Sequence, residues 1–406
     1  MMTPPLPATR RRFLEASAGA VIATWLAPFE HAVAGASSTA RSGERVLGKV
    51  PFVGEGAFPL DRTVGAGLGQ RRALDLSTLS AETLLTPQDR FFVRTGYPGR
   101  LRPTTAWKVR VHGLVETPME IPIEQLNREA SDRGTHLLEC AGNSRAAHFG
   151  FMSAASWTGV PLERVLKRAA LSPRATQLLV SGFDEHTTLD PGSAPGASWV
   201  FGLDQLRDSG AFLATEMNGA PLSPDHGYPL RLVVPGWYGC TAIKWVNEIA
   251  LVDDEAPATD HMREYAGRTH QAPGGPRDRT LVRRGRRPEG PPLARDFQPA
   301  TIDPAAVPVL VERIGAGGRI SYRIVGILWG GRAPARALGI RFNPDTSFVP
   351  VEDVASGTAG TWALWSHTFH PQAPGRYRIE LAVREPAART RRLDAGFYAR
   401  DMEITG

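Results

Sequence analysis

The feature that most constrains the fold is a break in pattern at residues 254–300, where Pro, Gly and Arg dominate. Ahead of it, short strand-like runs mix with short helical runs; behind it, the chain reads only as strands. A segment of this composition buries little apolar surface and connects folded units. A chain of 406 residues also exceeds one ordinary core. Two domains are therefore expected, at 86–258 and 301–406, joined by a linker at 259–300. The basic cluster Arg277, Arg279, Arg283, Arg284, Arg286 and Arg287 reads as a solvated linker face, with docking of an acidic redox partner as the alternative.

In the first domain, Trp107, Val109 and Val111 alternate with Lys108 and Arg110 and stop at Gly113, a half-buried strand. Phe91-Phe92-Val93-Arg94 reads as a shorter one. Helices are expected from 122–126 and from Pro161, where Leu162, Val165, Leu166 and Ala169 recur at helical spacing. Residues 178–180 read as a strand, 203–206 as a short helix, and 228–235 and 242–252 as strands. This irregular mixture argues for α+β. Strand patterns at 309–314, 320–328, 338–343, 361–369, 377–383 and 397–404 make the second domain an all-β, immunoglobulin-like sandwich.

The N-terminal 34 residues have the order of an export signal. Arg10-Arg11-Arg12-Phe13-Leu14 leads into a short apolar run, closed by Ala32-Val33-Ala34. The paired arginines make it twin-arginine type, so a periplasmic location is expected. The run is too short to cross a bilayer, so no membrane span is expected after cleavage. Residues 35–85 read as an extended, partly ordered arm. The net charge of +6 suits small anions or an acidic partner, and no nucleic-acid motif accompanies it.

The chain has two cysteines, which excludes a disulfide framework and any four-cysteine zinc or iron–sulfur site. Leu137-Leu138 delivers Cys140 to the turn Ala141-Gly142-Asn143, as a strand presents a thiol at its tip. Arg145 is expected to set positive charge beside it and lower the thiol pKa. A thiolate is a soft metal ligand or a nucleophile; a lone cysteine is as readily a small buried hydrophobe.

Seven stretches together resemble the molybdenum-binding core of the sulfite oxidase family, over about residues 88–270. They are Phe91-Phe92-Val93-Arg94, Glu139-Cys140-Ala141-Gly142-Asn143, Trp157-Thr158-Gly159-Val160-Pro161-Leu162, Glu216-Met217-Asn218-Gly219-Ala220-Pro221-Leu222, Asp225-His226-Gly227-Tyr228-Pro229-Leu230-Arg231, Lys244-Trp245, and Arg263-Glu264-Tyr265-Ala266-Gly267. The resemblance implies a molybdenum–molybdopterin cofactor with Cys140 as the metal ligand. It implies that Phe92, Val93, Arg94, Thr95, Gly96, Asp184, His226, Arg231, Ala242, Ile243 and Lys244 anchor the pterin and its phosphate. It assigns Arg94 and Arg145 to an oxyanion substrate and Tyr265 to the metal edge, with Phe149 where the family usually has a tryptophan. Arg400, in Tyr398-Ala399-Arg400-Asp401, would reach in from the tail domain, which resembles the family's dimerisation domain and so implies a homodimer.

The activity implied is oxidation of sulfite to sulfate by oxo transfer, with electrons leaving singly to a separate carrier such as a c-type cytochrome. Thr95-Gly96 after the first arginine and Ser144-Arg145 after the cysteine turn depart from sulfite-oxidising members. A reductase of a sulfoxide or another oxo compound is therefore the alternative, and a non-catalytic periplasmic binding or assembly protein a third reading.

Overall fold

A computed structural model describes residues 43–99, 106–183, 197–271, 292–331, 335–355, 360–385 and 388–405. Asp184, the signal at 1–34 and the basic cluster at 277–287 lie outside the described residues.

The first half of the chain builds two sheets. In one, strand Met152–Pro161 runs between Ser131–Glu139 and Phe212–Met217, all antiparallel, with Ala220–Pro221 and Arg231–Val233 both paired to Phe212–Met217. Ser131–Glu139 starts exposed and ends buried, so its last residues enter the core and carry the chain to Cys140. The other sheet has the order Met119–Pro122, Lys108–Gly113, Val246–Val252, Gln177–Gly182, Ser198–Gly202. Lys108–Gly113 buries Val109 and Val111 and exposes Lys108 and Arg110, the alternation that marks it in the sequence. Helix Leu162–Ala169 buries Leu162, Val165, Leu166 and Ala169. Pro161 is its N-cap and not its first residue, because the same proline ends strand Met152–Pro161.

Residues 91–94 do not form the expected strand. Val93 makes one isolated bridge to Arg72, and the Phe92 amide donates to Ser153 Oγ at 3.1 Å, so a side chain takes the place of a ladder partner. The strands expected at 228–235 and 242–252 are shorter, Arg231–Val233 and Val246–Val252. Between them Trp245 takes a positive φ of 55°, which breaks the extended run at the residues expected to hold the cofactor.

The tail forms two antiparallel five-stranded sheets. One orders Arg45–Lys49, Ala305–Ala316, Arg319–Trp329, Trp362–Phe369, Asp353–Val354; the other orders Val349–Pro350, Leu338–Phe342, Gly375–Val383, Arg400–Ile404, Phe52–Val53. Val311, Ile327, Ile340 and Ile379 from both sheets share one core.

The arm at 43–85 is thus structural and not a loose lead. It adds an edge strand to each tail sheet, then buries Leu74, Leu76 and Leu79; the Leu74 amide donates to Gly150 O of the first domain at 2.8 Å, while the turn Leu76–Thr78 packs on tail strand Ala305–Ala316. Its apolar residues come in short pairs such as Val46-Leu47 and Phe52-Val53, too brief for a sustained strand alternation. The unpaired backbone of two sheet edges supplies the order instead. The start of the expected linker is likewise docked. Thr259 caps helix Asp260–Tyr265, accepting from the Met262 amide at 3.2 Å, and donates to Ser198 O at 2.7 Å.

Candidate active site

Cys140 follows the last residue of strand Ser131–Glu139 and is held from both sides. Its amide donates to Phe151 O at 2.9 Å, and its carbonyl accepts from the Asn143 amide at 2.8 Å. Asn143 Oδ1 in turn accepts from the Phe151 amide at 3.1 Å. The turn is closed so tightly that the Gly142 amide points at the sulfur, 3.3 Å away. Before it, the fully buried carboxylate of Glu139 accepts from Trp329 Nε1 at 2.9 Å and Tyr398 Oη at 3.1 Å, both from the tail. Arg392, also from the tail, donates to Ala141 O at 2.9 Å and to Arg268 O at 2.6 Å. The cysteine turn is therefore positioned by the second domain as much as by the first.

Burial pushes the Cys140 thiol pKa up, against the pull of the Arg94 charge, the Gly142 N–H and the Arg268 charge. The expectation of a thiol activated by Arg145 is thus corrected twice. The free thiol is raised, not lowered, and the cations that act on it are Arg94 and Arg268. Thiolate character here calls for a bound cation at the sulfur, since metal coordination deprotonates a thiol.

Arg145 turns instead to Ala399 O and to Asp401 Oδ2, 3.4 Å away, with Glu55 at 4.0 Å. Arg400 is likewise taken: its guanidinium lies 3.1 Å from both Glu55 oxygens, donates to Pro308 O at 2.9 Å and sits 3.8 Å over the Phe52 ring. Of the two arginines assigned to an oxyanion, only the half-buried Arg94 has no acceptor among the described residues. Phe149 packs 5.4 Å from Tyr398 and 5.9 Å from Phe397, fully buried.

Tyr265 ends its helix with 8% of its surface exposed. Burial first, then the nearby Cys140, raises its pKa, so the hydroxyl stays protonated and can donate. Arg268 lies 5.7 Å from its ring centre. Cys240, on the turn Gly239–Thr241, is buried and free, as is Cys140; burial and then Cys140 push its thiol pKa up.

The expected pterin side forms a second, adjoining group. Arg231 and Lys244 face each other across an isolated bridge, behind His226. His226 Nε2 lies 2.9 Å from Gln88 O, and burial with the charges of Lys244 and Arg231 lowers its pKa to about 3, so the ring is neutral. Lys244 Nζ donates to Asp225 O at 2.7 Å and to Thr95 O, and the Tyr97 amide donates to Asp225 Oδ1 at 2.8 Å. Thr95 and Gly96 are thereby tied to the His226 turn. A side chain at Gly96 would run into Gly67 O at 2.5 Å, and one at Gly227, whose φ is 106°, would crowd Lys244 and Arg231. Phe92, Val93, Ala242 and Ile243 are buried around this group.

Arg231 provides the test of fit for an anionic cofactor. It is 4% exposed, its pKa is pulled down to about 10 by burial, and it has no carboxylate partner among the described residues. Nη1 reaches only His226 O at 3.3 Å, and Nε is buried with no hydrogen-bond partner. A buried cation left this way is costly unless an anion completes it. The residues present fit a phosphate-bearing pterin. Among the described residues no cluster of three or more His, Cys, Asp or Glu could hold a metal by itself. The sequence reading names His226, Arg231, Lys244 and the segment Phe92 to Gly96 as site residues but not Gln88, Tyr97 or Asp225, nor Arg268, which lies one residue beyond the last matching stretch and carries no motif of its own.

Comparison with known proteins agrees with this geometry. Residues 95–260 match the family described as oxidoreductase molybdopterin binding domain. The chain is 30% identical to sulfite oxidase of Gallus gallus over 312 residues, covering 73% of this chain and 65% of that protein. It is 32% identical to inducible nitrate reductase [NADH] 1 of Glycine max over 237 residues, 54% of this chain and 24% of that one. In structure it resembles the sulfane dehydrogenase SoxCD from Paracoccus pantotrophus, with a TM-score of 0.61 at 18% identity over 84% of this chain and 89% of that one, a likeness of fold. The chain thus spans less than two thirds of the length of either sequence relative. It is a molybdopterin-binding oxidoreductase. Within that class its sequence is similar to sulfite oxidase, and its cofactor is molybdenum–molybdopterin.

Proposed function

We propose that this protein oxidises sulfite to sulfate, taking the oxygen from water and releasing two electrons to a separate carrier. The observation that carries the reading is Arg94, a cation with no acceptor among the described residues, whose charge acts on both the Cys140 thiol and the Tyr265 hydroxyl. An arginine so placed binds an oxyanion beside the metal ligand. The bound molybdenum supplies oxygen-atom transfer and accepts the electron pair. Cys140 would hold it, with its turn kept rigid by Asn143 and Glu139. His226, Arg231, Lys244, Ala242, Ile243 and the segment Phe92 to Gly96 would hold the pterin, with Asp184 as a further anchor. Tyr265, kept protonated by burial, would orient the substrate by donating a hydrogen bond.

The finer features belong to the same reading. The signal would send the folded protein to the periplasm, a c-type cytochrome would take the electrons, and the tail would be an immunoglobulin-like domain that pairs two copies. Reduction of an oxo compound is the second reading, favoured by the nitrate reductases among its relatives. Protein purified from a molybdopterin-competent host is assayed for molybdenum and for sulfite-dependent reduction of ferricyanide or cytochrome c. Turnover that disappears in Cys140→Ser together with the metal supports the proposal. A loaded protein inert to sulfite but able to oxidise a reduced dye with nitrate or a sulfoxide supports the second reading.

A further inference from the structure

We infer that Arg268 is the second anion-binding arginine of this site, and that with Arg94 it sets specificity for a small inorganic oxyanion. The inference rests on the oxyanion reading above and names the partner that Arg94 needs. The position expected for that partner, Arg145, is spent on Asp401 and Ala399. Arg268 stands where it could act. A side-chain carbon built on Gly142 would lie 3.3 Å from Arg268 Nη1 and 3.7 Å from Cys140 Sγ, so guanidinium and sulfur flank one point. Its guanidinium has no acceptor among the described residues, and it reaches over the Tyr265 ring.

The backbone beneath it is fixed. Arg392 donates to Arg268 O at 2.6 Å, and Thr269 Oγ1 donates to Tyr265 O at 3.0 Å, which locks the short turn Ala266–Arg268 onto the helix that carries Tyr265. Anchored main chain with an uncommitted, exposed guanidinium describes an arm that meets an anion at the mouth of the pocket. Arg94, the other cation whose charge acts on Cys140, would meet the same anion. Two forked donors and one hydroxyl suit the three oxygens of sulfite and can engage three of the four of sulfate. A neutral oxo compound offers no charge for the second arginine.

Calorimetric titration of sulfate into the oxidised, molybdenum-loaded protein tests this without turnover. Arg268→Ala is expected to weaken sulfate binding ten- to a hundredfold at unchanged molybdenum content, and Arg268→Lys to restore part of it. Arg145→Ala is expected to change it less than threefold. Wild-type affinity in Arg268→Ala overturns the assignment while leaving the oxyanion reading intact. Loss of molybdenum from both Arg268 variants also overturns it and makes the residue a cofactor anchor. A loaded wild-type protein that binds neither sulfate nor sulfite defeats the oxyanion reading itself.

Discussion

Two groups of cations, each built on a buried arginine, Arg400 in one and Arg231 in the other, differ in what completes them. Around Glu55 and Asp401, the guanidinium groups of Arg400, Arg145, Arg376 and Arg378 meet carboxylates at 3.1 to 4.0 Å. Around His226, Arg231 is as deeply buried as Arg400, both 4% exposed, yet has a single carbonyl and an orphaned Nε. Charge compensation tells the two apart. A buried arginine that the chain itself neutralises is a strut between arm, first domain and tail. One that it leaves uncompensated is a receptor whose missing half is a ligand.

The largest effect expected from this contrast is on cofactor retention. Arg231→Ala should leave the purified protein nearly free of molybdenum, read by metal analysis, while its fold persists; full loading in that variant would remove Arg231 from the receptor class. Next, Glu55→Gln withdraws the carboxylate from Arg400 in a site where Glu55 is only 6% exposed. Breaking one side of such a buried pair should cost about 3–5 kcal/mol in denaturant unfolding. Molybdenum per folded molecule should stay normal, and a variant of ordinary stability that has lost its metal would reverse the two roles.

A third, smaller effect comes from pH. His226 has a folded pKa of about 3, below the ordinary 6.5. Below 6.5 the unfolded chain binds a proton that the folded ring refuses. Its contribution to stability is therefore complete above 6.5 and lost as pH falls toward 3, by about 1.4 kcal/mol per unit. Cofactor-free His226→Gln should show a shallower acid limb by one proton, with His270, lowered to about 4, leaving a residual slope in the same direction. An unchanged limb would mean that the ring is not held neutral. The smallest effect is expected at Arg145, which is 28% exposed and so partly screened by water. Arg145→Ala should cost about 1 kcal/mol and scarcely alter the KM for sulfite; a tenfold rise in KM would return it to the anion pocket.

Much of the receptor was legible because its residues are clustered in short stretches. Asp225 through Arg231 and Ala242 through Lys244 are each a short continuous stretch, so linear order nearly fixes their neighbours. The strut cluster was not legible, because Glu55, Arg145 and Arg400 come from three distant parts of the chain and none carries a motif. For the same reason Arg145 and Arg400 were read as pocket residues: an arginine near a cysteine turn looks alike whether or not a carboxylate arrives from elsewhere.

Local pattern by itself determined the alternating strands, the amphipathic helix Leu162–Ala169, the turn that tips Cys140 and the family that these resemble. Those depend on side-chain period and backbone conformation, which act over a few residues. Tertiary structure alone decided which cations are compensated, that the arm at 43–85 closes both tail sheets, and that Arg268 stands beside Cys140. Electrostatic compensation and edge pairing act between groups brought together only by folding, and sequence distance carries no record of them.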